Sequence, residues 1–363
     1  MAVEFNADYY KTVLDRNGYQ SLRDQVKPID FSLGTLTPPD LSLLWLCHHG
    51  ADEVVKTSAE TGSRIKVVTG IGLSGTPHLG TLSQILKAIK LQQFGNLAVK
   101  FVLGDLDAYG GKNTPLAYAR KLGEQVRRFM LDIGFDDSGR NELRDQYDEL
   151  EILRTMYLSG YFMEEAAFGH AEEDLHGFYA GQGKVDEGMT FRRKLSLALM
   201  VAGWIHQLIE NGDDHVLIML GIDEHQYVRF GQEVLEKMRN SEHFRELLAD
   251  KRIAAMYSTL IGGFNGYPKM SKSFPKSGIH LGMSRVEIAD LVLREAKKDC
   301  PPEENVIFQC MASASTYSPA EIRERYDECQ GDTPTWEEMK RAYVEHLGQL
   351  IDKWRKHEGS GTE

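Results

Sequence analysis

Cysteine, long apolar runs and positive charge are all scarce in this 363-residue chain. Its four cysteines, Cys47, Cys300, Cys310 and Cys329, lie far apart and form no CxxC pair. That excludes a thiolate zinc knuckle and a dense disulfide framework, and points to a reducing, cytoplasmic compartment. No apolar stretch approaches the roughly 20 residues that cross a bilayer, and the polar start MAVEFNADYY has no signal-peptide core. No membrane is therefore expected as a partner. Fifty-four acidic against 42 basic residues leave a formal charge of −12. A protein that coats nucleic acid by bulk charge is excluded, although a local basic face is not. Internal repeats and long low-complexity segments are absent too, and no metal-ligand set is assigned.

The length calls for two or three domains. Residues 1–60 have mixed texture, with helical stretches near 7–26 and 40–57. A break falls at TLTPPD (35–40), where Asp40 or Ser42 is the expected cap. The texture then changes. RIKVVTGI (64–71) is a β-branched run that ends in glycines, followed by GLSGTPHLG and by a segment with Leu82, Ile85, Leu86 and Ile89 at helical spacing. LAVKFVLGD (97–105) is a second buried-type strand. A second helix follows, with Thr114 as its N-cap and Pro115 at its first position. The order β-α-β-α predicts a parallel sheet with crossover helices. Residues 139–210 read as mostly helical. HVLIMLGID (215–223) and RIAAMYS (252–258) are further strands, with a helix over 224–238 between them. From 284 onward the chain reads helical. Three capping boxes mark starts there, Ser284/Glu287, Ser318/Glu321 and Thr335/Glu338. A seam of Trp336, Met339, Tyr343, Leu347, Leu350 and Trp354 predicts core packing for the last helix.

Ligands of open parallel sheets sit at the carboxyl ends of the strands. Three candidate loops lie there. The first, TGIGLSGTPHLG (69–80), offers Gly70, Gly72, Ser74, His78, Gly80 and then Thr81: backbone that admits close approach and a helix start suited to an anion. Alone, His78 equally fits a surface histidine. The second, GIDEHQ (221–226), places Gly221 and Asp223 where a ribose is held, or where Asp223 simply caps a helix. The third, GYPKMSKSFPKSGIHL (266–281), carries Lys269, Met270, Ser271, Lys272 and Ser273. It fits a surface turn, or a loop built to close on a polyphosphate.

Taken together, these loops resemble the two signatures of class I aminoacyl-tRNA synthetases, His-Ile-Gly-His (here His78-Leu79-Gly80-Thr81) and Lys-Met-Ser-Lys-Ser (here Lys269 to Ser273). The chain is most similar to the tryptophanyl/tyrosyl subclass. VTGIGLSG, GIDEHQYVR and KMSKSFPKSGIHL each parallel a segment of that group. The resemblance implies an α/β fold: a Rossmann-like parallel-sheet nucleotide-binding domain over 61–283, with a helical insertion at about 110–210. A mostly helical N-terminal extension would occupy 1–60, and a C-terminal α-helical domain 284–363. It also implies ATP with Mg²⁺, an amino acid or related carboxylate, tRNA and a homodimer. His78, Lys269 and Lys272 would be catalytic. The glycines, Ser74, Thr81, Asp223, Met270, Ser271 and Ser273 would hold ATP.

The amino-acid half departs from the subclass. Val68 and Gly104 stand where its tyrosine and glutamine are expected, and Leu197 and Val201 fall on its Tyr-x-x-x-Gln helix. Apolar replacements of hydrogen-bonding groups predict a different substrate. Asp105, Asp107, Tyr109, His206 and Gln207 are the polar candidates for reading it, each of which equally fits capping or surface bonding. Two functions follow. One is a synthetase that transfers the acyl group to tRNA, touching it with a basic stripe of Arg323, Arg325, Lys340, Arg341, Lys353, Arg355 and Lys356. The alternative is a paralogue that forms an amide or ester on a non-tRNA acceptor in a biosynthetic pathway.

Overall fold

The computed structural model describes residues 6–358 apart from 25, 173, 175, 182, 184–187, 266, 273, 295–299 and 332–333. Seven strands form one sheet: β1 Gln20–Ser21, β2 Cys47–His49, β3 Ile65–Gly72, β4 Ala98–Gly104, β5 Glu142–Asp145, β6 His215–Gly221 and β7 Arg252–Ser258, in the order β1-β2-β7-β6-β3-β4-β5. The five strands from β7 to β5 pair in parallel. Strand order reverses between β3 and β6, whose carboxyl ends therefore border a crevice.

Alternation along β3 feeds two cores. Val67 joins one that runs through the Leu79–Gln93 helix to Trp336, Tyr343 and Trp354 of the last helix, Pro334–Lys356. Val68 joins the other, with Trp204, Ile205, Val216 and Val228 on the opposite face. Trp354 meets Phe129 edge-on at 5.4 Å, so the C-terminal helices pack directly on the α/β body.

Several expectations need correction. The first helix stops at Asn17, because Gly18 takes a left-handed conformation (φ 66°) there, and β1 follows. The expected helix at 40–57 is two helices, Pro38–Leu44 and Ala51–Thr61, with β2 between them. Thr37 caps the first of these, and Asp40 answers it from the third position by accepting the Thr37 N–H at 2.9 Å. β5 lies inside a stretch expected to be helical; its four residues are too few for periodicity to register. The helix beginning at Leu116 has Pro115, not Thr114, as its cap. The boxes at Ser284/Glu287 and Ser318/Glu321 form. Thr335 does not cap, since its helix already begins at Pro334.

The basic stripe is largely consumed internally. Arg323 pairs with Asp40, and Arg325 lies over the Tyr317 ring at 3.7 Å. Lys340 is buried beside Glu337, and Lys353 donates to the Asp132 carbonyl at 3.0 Å.

Lys87, on the inner face of the Leu79–Gln93 helix, is 1% exposed and donates to Ser258 Oγ at 2.7 Å. Burial, with Arg23 and Lys90 nearby, lowers its pKa to about 7. Below pH 7 both folded and unfolded chains carry this proton, and the folded chain bears the full cost of a buried charge. As pH rises towards 10 the folded chain has released it and the cost fades. Lys87→Met is therefore expected to raise stability, most at pH 6 and progressively less towards pH 10. Urea denaturation of both proteins across that range checks this.

Candidate active site

The first functional side chain is placed by a helix start. His78 is the N-cap of Leu79–Gln93, and its Nδ1 accepts the Thr81 N–H at 3.3 Å, which leaves the ring proton on Nε2. Burial first, then the charges of Lys272 and Lys269, push its pKa well below the usual imidazole range, so the ring is neutral at pH 7. Gly80 makes this possible, because a Cβ there would stand 2.8 Å from His78 Cε1.

The lysine loop is tied back onto the same place. Leu79 N–H donates to Ile279 O and Leu281 N–H to Pro77 O, both at 2.9 Å, so the loop's exit pairs with the histidine segment. Ser271 N–H donates to Ser277 Oγ at 2.8 Å and braces the turn. Lys272 Nζ donates to the Gly72 carbonyl at the end of β3. Burial, then Lys112, lowers its pKa to about 7. Lys269 forms an ion pair with Asp223, just beyond β6, and lies 5.6 Å from the Tyr179 ring centre. Tyr179 stacks on Phe274 of the loop, which stacks on Tyr267.

These groups share one cleft of about 1000 Å³. It is lined by Gly70, Gly72, Ser74, His78, Gly80, Thr81, Gly221, Asp223, Lys269, Met270, Ser271 and Lys272, all anticipated from the sequence. Ser273 lies outside the described residues. Gln84, Lys112, Tyr179 and Leu260 also line it and were not anticipated. Three lysines, a neutral imidazole and a helix N-terminus, set against the carboxylates of Asp223 and Glu224, suit the cleft to a multiply charged anion.

A second cavity of about 850 Å³ opens beside it, between β3, β4 and the Phe191–Ile209 helix. Val68, Gly104 and Asp107 line it as expected. Five expected residues do not. Asp105 turns its carboxylate to the N–H groups of Leu106 and Tyr147, at 2.8 and 3.1 Å. Tyr109 faces solvent, 56% exposed. His206 bonds to Thr155 Oγ at 2.8 Å, and Gln207 bonds within its own helix to Gly203 O and Asn211. Val201 is fully buried against the His225–Arg239 helix, while Met200, Gly203 and Trp204 line the cavity. Sequence reasoning missed Lys100, Gln146, Glu149 and Ile152. Only Lys100 left a signal, as a charge in the middle of the buried strand AVKFVLG.

Comparison with known proteins agrees with this geometry. The family described as tRNA synthetases class I (W and Y) matches residues 60–151, which hold β3, the histidine helix and β4. The tryptophan–tRNA ligase of Methanopyrus kandleri is 24% identical over 274 residues, 72% of this chain and 66% of that protein. The chain thus spans just under two thirds of the length of that curated relative. The tryptophanyl-tRNA synthetase of Aeropyrum pernix superposes with a TM-score of 0.72 at 19% identity, covering 97% of this chain and 93% of that one. The tryptophan-bound enzyme of Encephalitozoon cuniculi gives 0.68 at 14% identity over 98% and 97%. The tyrosyl-tRNA synthetase of Archaeoglobus fulgidus, complexed with L-tyrosine, gives 0.65 at 17% identity over 88% and 98%.

The chain thus resembles class I synthetases of the tryptophanyl/tyrosyl type, in one segment by sequence and over most of its length by fold. The anion cleft and the second cavity adjoin. The two meet at Gly70, Gly72 and Glu224, which line both.

Gly221 makes room for the Asp223 carboxylate. A Cβ there would fall 2.6 Å from Asp223 Oδ1, so only glycine lets that carboxylate fold back towards Lys269. Gly221→Ala is expected to cost about 1–3 kcal/mol through this overlap. Urea denaturation measures the loss, and the Asp223–Lys269 contact should be broken in a structure of the variant.

Proposed function

We propose that this protein activates an L-amino acid with ATP, releasing pyrophosphate and forming an aminoacyl-adenylate, and then passes the acyl group to tRNA. The observation that carries the reading is the convergence of His78, which follows β3, and Lys269 and Lys272, which follow β7, on one cleft at the strand-order reversal. In such a reaction a carboxylate oxygen attacks the α-phosphorus and pyrophosphate departs. The protein supplies position and charge, with no covalent step of its own.

The neutral His78 donates its Nε2 proton to a phosphate oxygen. Lys272 meets the departing pyrophosphate. Lys269 exchanges Asp223 for phosphate as the nucleotide enters, which leaves Asp223, with Gly221, to receive the ribose. Among the described residues no group of three His, Cys, Asp or Glu side chains is placed to hold a metal ion. Mg²⁺ would be carried by the nucleotide's own phosphates and share their charge. Asp107 and Glu224, at the mouth of the second cavity, suit the substrate's ammonium group.

The assembly is a cytoplasmic homodimer in this reading. Among the described residues no helix is long and apolar enough to cross a membrane. Leu150, Leu153, Tyr157 and Tyr161 recur on one outward face of the Glu151–Gly160 helix and its flanks, the two tyrosines 86% and 87% exposed. Such a stripe is apolar area for a partner copy to cover.

The test is ATP–pyrophosphate exchange across all proteinogenic amino acids, followed by acylation of total tRNA. Exchange with one amino acid and label on tRNA is the expected result; exchange without label transfers the reading to a non-tRNA acceptor. Lys272→Met should lower kcat/KM for ATP by about tenfold or more. A bound phosphate also returns the Lys272 pKa towards its ordinary value, so ATP binding at pH 8 should take up a proton. Titration calorimetry in buffers of different ionisation enthalpy reads this uptake, and Lys272→Met should abolish it.

A further inference from the structure

The second cavity has an unusual floor. Residues 100, 102 and 104 point to one face of β4, as 68, 70 and 72 do on β3, and Lys100 pairs in register with Val68. Lys100 therefore lies four residues, about 13 Å of strand, below Gly104 at the strand's end. It is 1% exposed and forms an ion pair with Glu149, itself 8% exposed. Around the pair the walls are Val68, Val102, Ile152, Trp204 and Leu220. A buried ion pair is rarely worth its desolvation when apolar side chains of the same volume would pack as well or better. Burial also pushes the Glu149 carboxyl up despite the adjacent ammonium. A pair kept for packing would be enclosed on every side. This one lines the cavity, and it is set on the strand that carries Gly104 at the mouth.

The geometry points to Lys100 and Glu149 as the residues that read the far end of the substrate's side chain. They select a neutral tip that both accepts and donates a hydrogen bond, a hydroxyl or carboxamide carried on an apolar stem. The inference rests on the amino-acid activation proposed above. The ammonium donates to the tip's oxygen, and the carboxylate accepts from its O–H or N–H. The pair is neutral overall, so it discriminates against a tip of either charge, which would leave one member without its counter-ion. A purely apolar tip leaves both members without a ligand partner and gains nothing from them.

Direct binding tests this without depending on turnover. Matched amino acids are titrated by calorimetry: L-tyrosine against L-phenylalanine, L-glutamine against L-methionine, and 4-carbamoyl-L-phenylalanine against 4-isopropyl-L-phenylalanine. The polar member of at least one pair is expected to bind about tenfold or more tightly than its apolar partner. The double variant Lys100→Met/Glu149→Leu, which leaves no lone buried charge and so should stay folded by circular dichroism, is expected to abolish that preference. If no pair shows a preference, or if the folded double variant retains it, the inference is overturned. The exchange assay separates this from the parent proposal. A binding preference without exchange would fail adenylation and leave the pocket assignment standing. Exchange with an apolar-tipped amino acid preferred would fail the pocket assignment alone.

Discussion

Two backbone hydrogen bonds hold the site together. Leu79 N–H to Ile279 O and Leu281 N–H to Pro77 O join the segment entering the first crossover helix to the segment leaving the lysine loop. The strands that deliver these segments, β3 and β7, are not neighbours, since β6 lies between them. Without the two bonds, the imidazole and the ammonium groups would stand on separate edges of the crevice. With them, Lys272 reaches the carbonyl of Gly72, Lys269 reaches Asp223, and both charges bear on His78. The sheet supplies the crevice by reversing its strand order, and the bonds bring its two rims together.

That concentration of charge is notable in a chain of net charge −12. It is reached locally, by gathering Lys112, Lys269 and Lys272 around one cleft, where desolvation of Lys272 depresses its pKa. Elsewhere the basic residues are spent on the fold. Arg323 ties its helix to Asp40 and Lys353 ties the last helix to Asp132 of the α/β body, while Arg325 packs on Tyr317 and Lys340 pairs with Glu337 of its own helix. Any nucleic acid the protein meets must therefore find its charge on side chains other than these.

That the residues of the first cleft gather there was legible in the sequence because its loops are short continuous stretches at strand ends. Gly80 under an imidazole and Gly221 under a carboxylate leave no room for a Cβ unless those side chains shift, and the lysine loop is one continuous stretch. Strands β3, β4, β6 and β7 were legible for a similar reason: each is five or more residues of buried texture ended by a turn. β1, β2 and β5 were not, because two to four residues carry no period. They owe their extended form to neighbours, β2 to its antiparallel register with Tyr257, Met256 and Ala255 and β5 to its pairing with Lys100–Leu103.

The side-chain cavity was the least legible part, and its construction explains why. Its walls come from alternate residues of two strands, one face of a helix and a short segment around 146–152, none of which carries a local motif. On the Phe191–Ile209 helix a shift of one residue turns a side chain by about 100°. That angle separates Val201, packed against the next helix, from Met200, which faces the cavity. The first cleft is built largely from continuous stretches of chain, and these read as motifs. The second cavity is built by pairing across the fold, so its residues leave no local pattern. The charge of Lys100 in mid-strand becomes interpretable only once Glu149 stands opposite it.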